Sequence, residues 1–123
     1  MAWELDSDRP IYIQLVERIE MLIISGYYPA GGRLPSVREL ATEAAVNPNT
    51  MQKAFAELER GGLIITQRTN GRTVTEDEGL INGIRQRKAE SHIQAFFAKM
   101  KELGYTKREI INLIEKSYEG EDK

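Results

Sequence analysis

Val37 to Phe55 reads V-R-E-L-A-T-E-A-A-V-N-P-N-T-M-Q-K-A-F. It carries two short helical patterns separated by a tight turn, the layout of a helix-turn-helix. In the first half Val37, Leu40, Ala41 and Ala44 share one helical face. In the second half Met51, Ala54, Phe55 and Leu58 recur at i, i+3, i+4 and i+7. Ala41 and Ala45 are small where two crossing helices need close approach, and Val46 plugs the turn. Asn47 reads as an N-cap and Pro48 as the first helical residue, where its missing N–H costs nothing. The face opposite Met51 then holds Asn49, Lys53, Ala56 and Arg60, with Gln52 on its flank. Amides and cations of this kind read base edges and phosphates in a major groove. A solvated polar face on an ordinary surface helix has the same composition, so the flanking sequence must decide.

On the N-terminal side, Ser36 lies three residues before Glu39, a capping box that opens the first helix of the pair. Free N–H groups at a helix start attract anions, so this end can hold a phosphate with Arg33 and Arg38 beside it. The loop Tyr27-Tyr28-Pro29-Ala30-Gly31-Gly32 precedes it. Its glycine pair lacks the Lys-Ser/Thr of a P-loop, so nucleotide binding is not expected. Further back, Pro10 opens a helix to about Ser25 with Ile11, Leu15, Ile19, Leu22 and Ile23 on one stripe, and Gly26 stops it. Trp3 is expected to cover the end of the core.

On the C-terminal side, Gly61-Gly62 ends the second helix. Leu63 to Arg68 and Arg72 to Thr75 are rich in β-branched residues and flank Thr69-Asn70-Gly71. Asn-Gly between such runs predicts a hairpin with a two-residue type I′ turn. A hairpin directly after a helix-turn-helix makes a wing, here with Arg68 and Arg72 at its tip, placed for a minor groove or for the backbone. Beyond Thr75 a long helix is predicted to about Leu103. It has an early apolar cluster (Leu80, Ile81, Ile84), a charged middle, and a late stripe of Ile93, Phe96, Phe97, Met100 and Leu103. Gly79 and Gly83 weaken its first turns. Gly104 ends it, and Thr106 with Glu109 makes a second capping box. The last helix carries Ile110, Ile111, Leu113, Ile114 and Tyr118. Two amphipathic helices in a hairpin cannot bury both stripes alone, so they fold back on the winged helix or, as favoured here, pair with a second copy.

The bulk numbers permit this. A chain of 123 residues, 41% hydrophobic, is one domain or a small domain plus an appendage. It has no cysteine and a net charge of −2. Disulfides and thiolate metal sites are excluded, and a reducing cytoplasm fits. No apolar run would span a bilayer, and the acidic N-terminus with its early proline lacks the pattern of a secretion signal. The negative sum argues against a nucleic-acid partner, but the cations Arg33, Arg38, Lys53, Arg60, Arg68 and Arg72 cluster around the helix pair and wing. Catalysis is not expected. The single histidine, His92, has no nucleophile at i±3 or i±4, and neither a metal nor a cofactor site is visible.

The residues also resemble the GntR family of bacterial transcription regulators, and its short YtrA-type branch. The likeness runs from Pro10-Ile11-Tyr12 and Gln14 through Gly26, Pro29 and Gly31. It is dense from Leu34 to Leu58, continues into Glu59, and ends with Gly62-Leu63-Ile64 and Gly71. The short two-helix tail, in place of a large effector domain, points to the YtrA-type branch. The resemblance implies a homodimeric DNA-binding regulator, usually a repressor, often of neighbouring transporter genes. It places DNA-facing positions on Arg33, Ser36, Arg38, Asn47, Asn49, Thr50, Gln52 or Lys53, and the wing residues Arg68, Thr69, Asn70 and Gly71, to which the hairpin reading adds Arg72. Three departures stand out. Ala30 replaces a frequent proline, and Thr69 and Arg72 stand where the family has glycine and threonine. Ala45 stands where many helix-turn-helix proteins carry glycine, so no positive φ is assumed there.

The expected fold is therefore mainly α with a small β-hairpin wing: a winged helix-turn-helix over residues 1–76 and a two-helix dimerisation hairpin over 77–123. Dimerisation is assigned to Leu80, Ile84, Ile93, Phe96, Phe97, Met100, Leu103, Ile110 and Ile114. The expected partners are a double-stranded DNA operator and a second copy of the chain. An unidentified small-molecule effector is a further candidate, with only the groove near Phe96, Phe97, Tyr105 and Tyr118 to hold it; that aromatic group is expected to be core first. The competing class is a winged helix that binds protein, separable by whether a duplex shifts with salt dependence.

Overall fold

The computed structural model describes residues 3–69 and 71–118. Five helices and one hairpin follow in order: α1 Ile11–Ile24, α2 Val37–Ala44, α3 Pro48–Arg60, β1 Ile64–Gln67, β2 Gly71–Val74, α4 Glu78–Glu102 and α5 Lys107–Ser117. The chain divides into two compact units, Met1–Ile84 and Arg85–Lys123, with α4 running from the first into the second.

In the first unit the apolar stripes read from the sequence close on one another. Leu15, Ile19 and Ile23 of α1 meet Leu40, Ala41 and Ala44 of α2 and Met51, Ala54, Phe55 and Leu58 of α3. Leu63, Ile64, Val74 and Ile81 complete this core, and Trp3, Leu80 and Ile84 pack against it. Trp3 is also fixed from outside, its Nε1 donating to Glu43 at 3.1 Å. No side chain caps α1, which begins after Pro10. Buried Gln14 instead ties down the preceding turn, accepting from Asp6 N at 2.7 Å and donating to the carbonyls of Asp6 and Arg9. A polar side chain this deep persists because its amide is satisfied on both ends.

The α2–α3 turn differs from expectation. Ala45 takes φ +61°, the left-handed conformation, although it has a Cβ. Val46 N then reaches back to Ala41 O at 2.9 Å, the long closing bond of a helix C-terminus. Ala45 is exposed, so its small size serves the turn and not the helix crossing; the close approach is made by Ala41 and Ala44, both buried.

The hairpin turn is also not the two-residue type expected. Gln67 pairs with Gly71 and Thr66 with Arg72, which leaves three positions in the loop, and Gly71 takes φ +70°. One of those positions, Asn70, lies outside the described residues, so its expected contact is not placed. The segment 31–34 pairs with the other edge of β2: Leu34 N donates to Arg72 O at 2.9 Å and Val74 N to Gly32 O at 2.8 Å. This covers an edge that a two-stranded hairpin would leave open.

In the second unit Gly104, at φ +96°, turns the chain out of α4. Thr106 and Glu109 then form the expected capping box at the start of α5. Ile110 is fully buried. Phe97, Met100 and Ile114 are half-buried, and much of the remaining apolar stripe is open: Ile93 is 53% exposed, Leu103 71% and Tyr118 61%, with Phe96, Tyr105, Ile111 and Leu113 also exposed. Phe96 and Phe97 pack edge to face at 5.7 Å.

Candidate nucleic-acid interface

The polar face of α3 is held out by its own start signal. Asn47 Oδ1 accepts from Asn49 N at 2.7 Å, and Pro48 follows as the first helical residue. The turn is thereby fixed, leaving Asn49, Gln52, Lys53 and Arg60 exposed while Met51, Ala54, Phe55 and Leu58 go inward. Thr50 is half-buried. Lys53 does not hang free: its ammonium lies 4.0 Å from the centre of the Tyr12 ring on α1. A cation over an aromatic face keeps its charge and loses side-chain freedom.

The start of α2 lies beside the wing. Ser36 Oγ accepts from Glu39 N at 3.0 Å, and Glu39 Oε1 accepts from Ser36 N at 2.8 Å. Around this end Tyr28, Arg33, Leu34, Pro35, Ser36, Glu39, Gly71 and Arg72 line an open cleft of about 630 Å³. Arg33 enters it from the strand-like segment that pairs with Thr73, and its guanidinium passes so close to Gly71 that a Cβ there would meet it at 3.9 Å. Partial burial, reinforced by the nearby Glu43 charge, pushes the Tyr28 phenol above its ordinary pKa, so it stays a neutral hydroxyl at neutral pH.

Charge is sorted across this surface. Arg60 pairs with Glu57, and Arg72 with Glu59 at 3.4 Å. Glu39 is spent on its cap and Glu43 on Trp3. Arg33, Arg38 and Arg68 are exposed and form no ion pair among the described residues. The four acids interspersed with the cations are not ion-paired to these three, and a chain of net charge −2 keeps three exposed arginines for an anion.

Arg72, expected at the wing tip, is turned the other way. Its guanidinium lies 5.3 Å from the Phe55 ring centre and reaches Glu59 on α3. Among the described residues of the tip, Arg68, Thr69 and Gly71 are exposed. Sequence reading missed Tyr12 and Glu59 as supports of this surface. Neither carries a local signal, because their partners Lys53 and Arg72 are remote in sequence. No helix among the described residues is long and apolar enough to cross a membrane.

The family model "Bacterial regulatory proteins, gntR family" matches residues 11–74. The HTH-type transcriptional repressor YtrA of Bacillus subtilis is 40% identical over 98 residues, covering 75% of each chain. A GntR family transcriptional regulator from Listeria monocytogenes superposes with a TM-score of 0.84 at 42% identity, over 91% of this chain and 98% of that one. The DNA-binding domain of AraR, solved in complex with its operator ORE1, superposes with a TM-score of 0.52 at 27% identity, over 61% of this chain and 94% of that one.

Proposed function

This chain belongs to the gntR family of bacterial regulatory proteins, among its short YtrA-type members, and from that premise we propose that it works as a homodimeric repressor reading a pseudo-palindromic operator. It is a transcriptional regulator with a winged helix-turn-helix DNA-binding domain, and not an enzyme. The repressor role is taken from YtrA, whose name carries it; a neighbouring transporter operon is the proposed target.

In this reading residues 1–76 bind DNA and 77–123 dimerise, with the first turns of α4 lending Ile81 to the DNA-binding core. The α3 helices of two copies enter successive major grooves about 34–36 Å apart. Asn49, Gln52 and Lys53 read base edges, with Asn47 and Thr50 setting the start of the helix. Arg33, Arg38 and the Ser36 helix end hold phosphates. Arg68, Thr69, Asn70 and Gly71 form the wing contact, and Arg72 supports it from behind. The second copy is taken to cover Ile93, Phe96, Phe97, Met100, Leu103, Ile110 and Ile114, while Leu80 and Ile84 serve the first unit's core.

The observation that carries the reading is that Arg33, Arg38 and Arg68 are exposed and form no ion pair among the described residues, while the polar side chains of α3 stay exposed. Titration of the promoter-proximal duplex with wild type, Asn49→Ala and Arg68→Ala tests it. Asn49→Ala should lose roughly 1–3 kcal/mol of discrimination while keeping non-specific affinity. Arg68→Ala should weaken all sequences alike and lower the salt slope by about one unit. Two variants that bind as wild type does would refute the docking.

A further inference from the structure

We propose that Glu59 and Arg72 form a clip that holds the wing against α3, so that what Arg68 contributes on a duplex depends on Glu59, a positioning residue. The inference rests on the DNA-binding reading above. Cross-strand register supplies its first ground. Ile64 pairs with Val74 and Thr66 with Arg72, so these four side chains share one face of the hairpin. Ile64 and Val74 are buried in the core. One step toward the tip the same face carries Thr66 and Arg72 instead, and both reach Glu59: Thr66 Oγ1 donates to its Oε2, and Arg72 Nε lies 3.4 Å from the same oxygen. Arg72 also covers the Phe55 ring at 5.3 Å. The clip thus continues the core outward with polar groups where apolar packing ends.

A second ground is the slightness of what else holds the tip-ward half of the wing, beyond buried Ile64 and Val74 and the Gln67–Thr73 contact at 3.4 Å. Each strand has four residues, and a two-stranded ribbon of that length has little stability of its own. The segment 31–34 braces one edge of β2 but touches neither Glu59 nor the tip loop through any hydrogen bond among the described residues. Both ends of the ion pair are partly shielded, Arg72 at 27% and Glu59 at 29% side-chain exposure, whereas the surface pair Arg60–Glu57 stands at 68% and 42%. A shielded pair with a shared hydroxyl and a ring beneath it fixes geometry better than a fully wetted one.

The test is a mutant cycle on a labelled mixed-sequence duplex across a salt series, using Glu59→Ala, Arg68→Ala, Arg38→Ala and the two doubles with Glu59→Ala. In the wild-type background Arg68→Ala should cost roughly tenfold in affinity and about one unit of salt slope; in the Glu59→Ala background it should cost at most about twofold. Arg38→Ala, on α2, should cost the same in both. Equal losses for Arg68→Ala in the two backgrounds, or loss of both effects together, would overturn the clip. A second arm needs no DNA: Glu59→Ala should speed amide exchange in β1 and β2 of the free protein while leaving α2 unchanged, and unchanged hairpin exchange also overturns it. If the wild type shows no salt-dependent duplex binding, the DNA reading fails, and the exchange arm still decides whether the clip holds the wing.

Discussion

The two units handle the same problem in opposite ways. The helices of the first carry apolar stripes that meet inside one chain: Leu15, Ile19, Leu40, Met51 and Phe55 are all fully buried. The apolar residues of the second meet very little, with Ile110 buried and Leu103 71% exposed. A contiguous exposed apolar patch marks an interaction surface. Regular helix pattern alone therefore does not say whether a stripe is core or interface. What separates them is whether the complementary stripe lies within the same chain.

The contrast can be broken most directly at Leu103. In the proposed dimer Leu103→Asp should leave one protomer in sedimentation, with helical content of the first unit retained. Because two linked heads gain their second contact intramolecularly, losing the link should weaken operator binding by about 10²–10⁴-fold. A variant that still sediments as a dimer would place the self-contact elsewhere. Leu40→Ala removes comparable carbon from the closed unit. It should lower unfolding free energy by about 2–5 kcal/mol, and by the same amount at every protein concentration in thermal or denaturant melts. A concentration-dependent loss there would mean the first unit's core is not self-sufficient.

Legibility follows distance along the chain and not the division into units. Capping residues act within three or four positions, so Ser36 with Glu39, Asn47 with Pro48, and Thr106 with Glu109 announce their helices from the sequence, and each is seen at the start of one. The stripes of α1, α2 and α3 announce their shared core for a similar reason. The supports of the interface do not. Tyr12 lies under Lys53 and Glu59 meets Arg72 only after the chain has folded, across separations no periodicity reports. The wing was legible as a hairpin from Asn70-Gly71, but its register was not, because a turn of two residues and a turn of three with a glycine at positive φ share that dipeptide.

Ala45 is the most local misreading, and it gives the smallest and sharpest test. Its small size was read as serving the helix crossing and no positive φ was assumed there, yet the residue is exposed and its backbone sits at φ +61°. The turn imposes it: Val46 N must reach Ala41 O to close α2, and Asn47 must stand ready to cap α3, with a single residue left to reverse the chain. For a residue with a Cβ that conformation costs roughly 1–2 kcal/mol, and glycine would remove the strain while losing roughly 0.5–1 kcal/mol to its freer unfolded chain. Ala45 is exposed, so no packing is forfeited. Ala45→Gly should therefore raise stability by about 0–1.5 kcal/mol, seen as a small rise in melting temperature, with operator affinity unchanged. A fall in stability would mean that the turn in solution does not hold Ala45 in the left-handed region, and that α3 begins from a different geometry.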